Sequence, residues 1–528
     1  MALSATELAV FLRNLPSSGI LEARKQTLSK RRHRQLADGT DAPGRTLDVA
    51  VFIDEEDIFS RPEVGNDESV KELATILSEE GLKATFLVVA DRAQLLQDRG
   101  RKDVIESIAR HEVGSHMLSV SHPTGPEYVA GKNWQEAVEL SLRQEKEGVE
   151  TISRVFGKRC SALSMHRLFA TPHAIRAGGM LGLPYVYAIP AAPPLYSLSW
   201  YAGALAIPWG SPTVGGASFR AFFTMDDAYS DMDAFEKQLR RLDQHIDLCL
   251  EVDQPFLTIM AAHPQRIRLI DYVDPFWAPN GVNYPNERWG MHGRPRMRSA
   301  RQVDIALANF RRFAKWIRHE RRLNPMTIAE VAKLYGDQPT TIKREELVEA
   351  ALAISQANEV LLHPRFSPAE ITSAIARELL AFEEQRQLPP EIPRDCVLGP
   401  TSSPIYYPEA QGCTHRGLIA LAQRLVDHMA NTGCLPATLG EPFNRVGVNH
   451  LYRALAESLL AIHSGSVREQ IDFVPLPPWP SLALQIGLAY VEAQEAGLVL
   501  PDLDVNTVYR DAKLQTWSLK AAIIHCDQ

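Results

Sequence analysis

The apolar positions of this chain change period repeatedly between residues 45 and 265. Leu47-Asp-Val-Ala-Val-Phe-Ile53 is a nearly continuous apolar run, the pattern of a buried parallel strand. Residues 69–80 have helical period, and Ser69 with Glu72 has the spacing of a capping box. Residues 83–89 read as the next strand and 101–110 as a helix that leads into a short strand at Glu112-Val-Gly. A long amphipathic helix follows at 133–156, then a strand at 159–164, a helix at 172–180 and a strand at 185–189. Later strands are expected at 218–224 and 256–261, with a helix at 232–252 between them. Strands alternating with helices over this length predict a parallel sheet, open or closed into a barrel. In such folds the chemistry sits at the C-terminal ends of the strands.

The flanks differ. Residues 6–15 predict a helix stopped by Pro16, followed by a polar linker to residue 45. Beyond residue 340, helical patterns at 371–387, 418–432 and 484–497 each end at a Leu-Pro turn, and 446–461 is a further amphipathic helix. The expected division is therefore an N-terminal helix and linker (1–45), a (β/α) unit (46–338) and a mainly α-helical C-terminal domain (339–528), whose pattern reads as self-contained.

Composition narrows the class. Hydrophobic residues make up 45% and charged residues 23% of 528, ordinary for a globular protein, and the net charge is -8. No long basic run is present, so nucleic acid is not an expected partner; the basic stretch at 24–34 reads as a solvated linker. No apolar stretch approaches a membrane span. The N-terminus lacks a basic n-region, and Glu7 interrupts its short apolar run, so a cytoplasmic location is expected. Six cysteines without CxxC spacing fit a reduced set with no structural zinc cluster.

Four polar clusters fall at strand ends. Asp54-Glu-Glu-Asp57 follows the first strand. His111, His116 and His122 lie on and after the third, five and six residues apart, which is not helical spacing. Ser164-Met-His166-Arg167 follows another strand, and His263-Pro264 ends the run at 256–262. Each cluster alone has a plain reading as a helix cap, a surface pair or a strand end. Their convergence on one face predicts a catalytic site, and imidazole with carboxylate is a donor set for a divalent metal.

These motifs resemble the polysaccharide deacetylase family, of the NodB-homology or carbohydrate esterase type. The acidic run Phe52-Ile-Asp54-Glu-Glu56-Asp57-Ile-Phe59 is similar to the first motif of its relatives. His111-Glu-Val-Gly-Ser-His116 and Ser121-His122-Pro123 match the two ends of the second motif, with two extra residues between them. Ser164-Met-His166-Arg167 is a loose third motif, and Leu257 to His263 matches the last. The resemblance covers roughly residues 45–335. It implies a distorted (β/α) barrel of the polysaccharide-deacetylase type and one divalent metal ion, Zn²⁺ in the first place, with Co²⁺, Ni²⁺ or Mn²⁺ as alternatives. By position it implies Asp57, His116 and His122 as metal ligands and Glu56 or Asp54 as base. Arg167 would orient the base, and His263 would be the acid. His166, with Trp277 and Asn283 in the aromatic and Asn/Gly-rich loop that some relatives share, would line the substrate pocket. His111 is implied to be structural. The C-terminal half is faintly similar to pseudomurein-binding repeats.

The expected function is metal-dependent hydrolysis of an amide C–N bond, deacetylating an N-acetylated sugar or a related small amide. Two alternatives stand beside it: a catalytically degenerate barrel that binds glycans, and a hydrolase of non-sugar cyclic or linear amides. Oligomeric state is not readable from the sequence.

Overall fold

The computed structural model describes residues 46–120, 125–165, 170–187, 198–209, 224–251, 256–271, 295–405, 411–441, 444–481, 483 and 506–523. His122, His166, Arg167, Trp277 and Asn283 lie outside these residues, as do the expected helices at 6–15 and 484–497.

Among the described residues, ten strands form one sheet: β1 (Leu47–Glu55), β2 (Thr85–Val88), β3 (Glu112–Ser115), β4 (Leu163–Ser164), β5 (Tyr185–Tyr187), β6 (Ser199–Tyr201), β7 (Ala204–Pro208), β8 (Phe256–Ala262), β9 (Leu323–Met326) and β10 (Lys520–Ala521). Their order is β10-β6-β7-β5-β4-β3-β2-β1-β8, and β9 pairs the N-terminal half of β1. β1 to β5, β7 and β8 pair in parallel, as the apolar runs require, whereas β6 runs antiparallel to both of its neighbours, β7 and the edge strand β10. Of the strand expected at 218–224 only Thr224 is described, and it forms a parallel bridge to Met260 on β8.

The period-two rule sorts β1 into two faces. Leu47, Val49, Val51 and Ile53 point outward, into a core shared with helices Asn66–Glu79 and Ala300–His319 through Leu73, Leu77, Phe310 and Phe313. Ala50 and Phe52 point inward and pack with Leu87, Val186, Ile207, Trp209 and Met260. The sheet curls enough that the Thr258 hydroxyl of β8 donates to Pro208 O at the end of β7, 2.8 Å away. Helix Ile328–Tyr335 plugs the lower end: Ile328, Val331 and Tyr335 join the inner cluster, and the Tyr335 hydroxyl donates to Asp48 Oδ2 at 2.8 Å.

The expected helices that are described have boundaries within three residues of the sequence pattern. The first helix starts at Asn66, not at Ser69, because Gly65 at φ +75° turns the chain into it. Ser69 is therefore inside the helix, and Glu72 pairs with Arg268 at 2.8 Å instead of closing a capping box. The box forms at Asn133 and Glu136, which start helix Trp134–Phe156.

The C-terminal half is mainly helical around its own core. Its helices come in pairs enclosed by short antiparallel ribbons, Thr341–Lys343 with Glu391–Pro393 and Gln411–Thr414 with Gln470–Phe473. The last segment then crosses the expected division at 338: β10 pairs β6, and helix Asn506–Leu514 packs on helix Pro172–Met180.

Candidate active site

Among the described residues, five side chains meet inside the C-terminal mouth of the sheet. The register sets Glu55 of β1 level with Val88 of β2 and Ser115 of β3. One step earlier, Asp54, Leu87 and Gly114 share the inner face. A side chain at Gly114 would lie 2.8 Å from Leu87 Cδ2, so glycine keeps that level open. One step later come Glu56 and His116, both inward. His116 Nε2 lies 3.5 Å from Glu56 Oε2, and the ring stacks over Trp209 at 6.5 Å between centroids. Met117, at φ +66°, bends the chain away immediately afterwards, and its carbonyl accepts from Ala90 N at 3.1 Å. Non-glycine residues held in that region cluster at functional sites.

His263 reaches the same mouth through a β-bulge. Phe52 is level with Met260, but Ile53 is level with Ala262, so Ala261 is an extra residue on β8. Without it, His263 would be level with Glu55 and face outward. With it, His263 is level with Asp54 and faces in, which is how bulges re-aim side chains beside active sites. The bulged carbonyl of Ala261 accepts from the Tyr229 hydroxyl at 2.9 Å. His263 Nε2 stands 3.6 Å from Glu56 Oε1 and 3.8 Å from Asp54 Oδ2. Its other nitrogen, Nδ1, is 2.6 Å from Asp226 Oδ2, and Asp226 Oδ1 accepts from the His263 backbone N–H at 2.7 Å.

The electrostatics follow from burial. Asp54 is 1% exposed, and desolvation, partly offset by His116 and His263, pushes its carboxyl up to about 6. Burial would lower His263, but Asp226, Glu56 and Asp54 outweigh it and raise the imidazole to about 10. The ring is then a cation at neutral pH, able to give a proton from Nε2 while Asp226 holds Nδ1.

Of the residues expected from sequence, Asp54, Glu56, His116 and His263 come together. Asp57 does not: it falls on the outer face, where Oδ1 accepts from Phe59 N and Ser60 N at 2.9 Å each and Oδ2 from Asn66 Nδ2 at 2.7 Å. The parity of β1 thus gives the place facing His116 to Glu56, correcting the expectation of Asp57 as ligand. His111 packs behind the sheet, with Nε2 at 2.8 Å from Ala74 O and 3.0 Å from Ser78 Oγ. Sequence reasoning missed Asp226 and Trp209. Asp226 lies in Met-Asp-Asp just after an expected strand end, a signal available but not used; Trp209 follows a strand that the pattern did not predict.

The donor types present suit a divalent cation. Both oxygens of Asp54 are buried and accept no hydrogen bond, and Glu56 and His116 add carboxylate oxygen and imidazole nitrogen. Among the described residues no group of three His, Cys, Asp or Glu side chains stands at ligating geometry.

No family model and no curated protein matches the chain. Among solved structures it aligns with a putative polysaccharide deacetylase from Mycobacterium smegmatis at 14% identity over 56% of this chain and 92% of that one, TM-score 0.35. A probable polysaccharide deacetylase from Pseudomonas aeruginosa PAO1 aligns at 13% identity over 54% and 90%, TM-score 0.34. A 4-alpha-glucanotransferase from Thermococcus litoralis aligns at 10% identity over 64% and 45%, TM-score 0.35. Two of the three carry the name of the family that the motifs resemble. At these TM-scores the likenesses carry no argument about activity, and the site's own side chains have to supply it.

Proposed function

We propose that the chain is a metal-dependent hydrolase that cleaves an amide C–N bond, with the acetyl amide of a sugar or a related small amide as substrate. The observation that supports this best is the pairing, in one buried mouth, of a carboxylate–imidazole donor set with an imidazolium held by its own carboxylate. Glu56 and His116 would hold the cation, with His122 a further proposed ligand from outside the described residues. A divalent cation in such a site supplies Lewis acidity, polarising the carbonyl and lowering the pKa of water toward ~7.

The chain's own residues do the rest. Of the two inward carboxylates at the end of β1, Glu56 lies 3.5 Å from His116 Nε2 and 3.6 Å from His263 Nε2, whereas Asp54 lies 3.8 Å from His263 Nε2. Asp54 is therefore assigned as the base that takes the proton from the attacking water. Its carboxyl near 6 is ionised at neutral pH yet basic enough to accept that proton. His263 gives the Nε2 proton to the leaving nitrogen, because an amide anion is too poor a leaving group to depart unprotonated. Asp226 holds the ring in the orientation that aims Nε2 inward. Trp209 and Phe52, 5.2 Å apart, close the floor with apolar surface and keep bulk water out. Arg167 remains proposed as orienting the base, and His166, Trp277 and Asn283 as substrate contacts.

The test is elemental analysis and deacetylation of N-acetylglucosamine oligomers or a small anilide by the full chain, beside Glu56→Gln and Asp54→Asn. One equivalent of metal, with turnover lost in both variants, is expected. Turnover that survives without metal would overturn the reading. A second reading, a glycan-binding barrel without catalysis, is favoured by one observation: Asp57 is spent on its own turn. It requires glycan binding without metal or turnover.

A further inference from the structure

Four acids follow one another at the end of β1, and the extended backbone must send them to opposite faces in pairs. Either pair could enter the mouth, since a shift of one residue exchanges them. Burying a carboxylate on the outer face costs heavily unless a charge meets it there. Asp57 is met by the amides of its own turn and by Asn66. Glu55, 1% exposed, is met by Arg92, whose Nε donates to Glu55 Oε1. Arg92 lies on helix Ala90–Asp98 and is itself 1% exposed. Its Nη2 lies 2.8 Å from Oδ1 of Asp67, on the first turn of helix Asn66–Glu79. Asp67 is also held by Arg99 at 3.0 Å, and Arg99 Nη2 donates to Ser60 O at 2.6 Å. One guanidinium therefore bridges the acid run to the helix that follows it, and a second grips the loop between them.

We infer that Arg92 is a positioning residue for the site: by holding Glu55 on the outer face it presents Asp54 and Glu56 to the mouth. This rests on the reading that Glu56 and His116 hold a divalent cation beside the base Asp54. Planar, two-sided contact is what the role needs. A lysine ammonium is a point charge and cannot bridge Glu55 and Asp67 with the same geometry.

The experiment uses the full chain, Zn²⁺ titration by calorimetry, and hydrogen exchange of the peptide spanning residues 54–60. Arg92→Lys keeps the charge and is expected to fold, yet to bind Zn²⁺ about 10–100-fold more weakly, with faster exchange in 54–60. Arg92→Leu with Glu55→Leu removes the charge and its counter-charge together, so nothing competes for the inner face. That double variant is expected to bind within about threefold of the natural chain and to regain slow exchange. Arg92→Lys matching the natural chain in both readouts overturns the inference. So does a double variant as weak and as fast-exchanging as Arg92→Lys, which would mean that Arg92 only stabilises the fold. If the natural chain binds no Zn²⁺, the cation reading fails. Exchange in the two variants then decides the positioning role by itself: faster in Arg92→Lys and restored in the double variant supports it, and any other pattern overturns it.

Discussion

Against burial that alone would lower it, Asp226, Glu56 and Asp54 raise the His263 imidazole to about 10. Asp226 is first among them, so Asp226→Asn is expected to lower the His263 pKa, read from its ring proton shifts in NMR titration. Replacing the proposed acid, His263→Ala, is expected to retain metal and to slow amide hydrolysis ~10²–10⁴-fold. The loss should be smaller on an activated ester, whose leaving group departs without protonation; equal losses would assign His263 to metal or structure. Glu145 gives a prediction of the opposite kind. It is buried on helix Trp134–Phe156, where desolvation, partly offset by the Tyr185 hydroxyl at 3.4 Å, pushes its carboxyl from 4.5 up to about 8. A raised folded-state pKa means that the folded protein binds the extra proton. Its contribution to stability is therefore full below pH 4.5 and lost as pH rises to about 8, by an amount on the order of a few kcal/mol. Glu145→Gln should flatten that decline in urea midpoints measured across the window; an unchanged slope would locate the linkage elsewhere. At this scale the sequence showed which residue types could do chemistry, but not their partners. Asp54 and His263 were readable from strand ends. Choosing Glu56 over Asp57 required the parity of β1, and Asp226 required knowing what stands beside His263.

Strands and helices were largely readable because their periods are enforced by burial on one or both faces. Helix Pro172–Met180 and strand Phe256–Ala262 fall almost where the pattern puts them. What the pattern could not show is a single extra residue. Ala261 keeps the run apolar whether or not it is bulged, yet the bulge decides which way His263 points. Tyr229 marks it, donating to the Ala261 carbonyl while its own backbone carbonyl accepts from Asn309 Nδ2 at 2.9 Å. Tyr229→Phe removes one hydrogen bond, costing about 1 kcal/mol, and leaves the aromatic packing against Phe310 and Phe313 in place. Amide hydrolysis is expected to fall more than that small stability loss suggests, with metal content unchanged. Full activity would show that the bulge holds without the tyrosine. Short ribbons escaped the sequence for another reason. Three or four residues such as Thr341–Lys343 are too few to show a period.

At the scale of the whole molecule, the pattern separates two cores but not the way the chain closes. β6 and β10 are two- or three-residue strands, invisible to periodicity, and their pairing joins positions more than 300 residues apart. Around that pairing, Tyr201 donates its hydroxyl to Ala512 O at 2.8 Å and Ala202 N donates to Ser518 Oγ at 2.9 Å. His173 Nε2 stands 3.0 Å from Asp511 Oδ2, both fully buried, and Lys520 Nζ lies 2.7 Å from Glu370 Oε1 in the helical half. The terminal segment is thus packed into both halves at once. A chain ending at Tyr335 would keep Asp54, Glu56, His116, Asp226 and His263, yet would bare the edge of β6 and leave His173 without its carboxylate. An uncovered strand edge is a template for association. Such a truncation is expected to aggregate, or to unfold at a lower urea concentration than the full chain, even though every described residue of the proposed site is retained. Adding a peptide spanning residues 506–523 should raise that midpoint by supplying the missing strand and Asp511. A monomeric truncation as stable as the full chain, with native metal content, would show instead that the (β/α) half closes without its last strand.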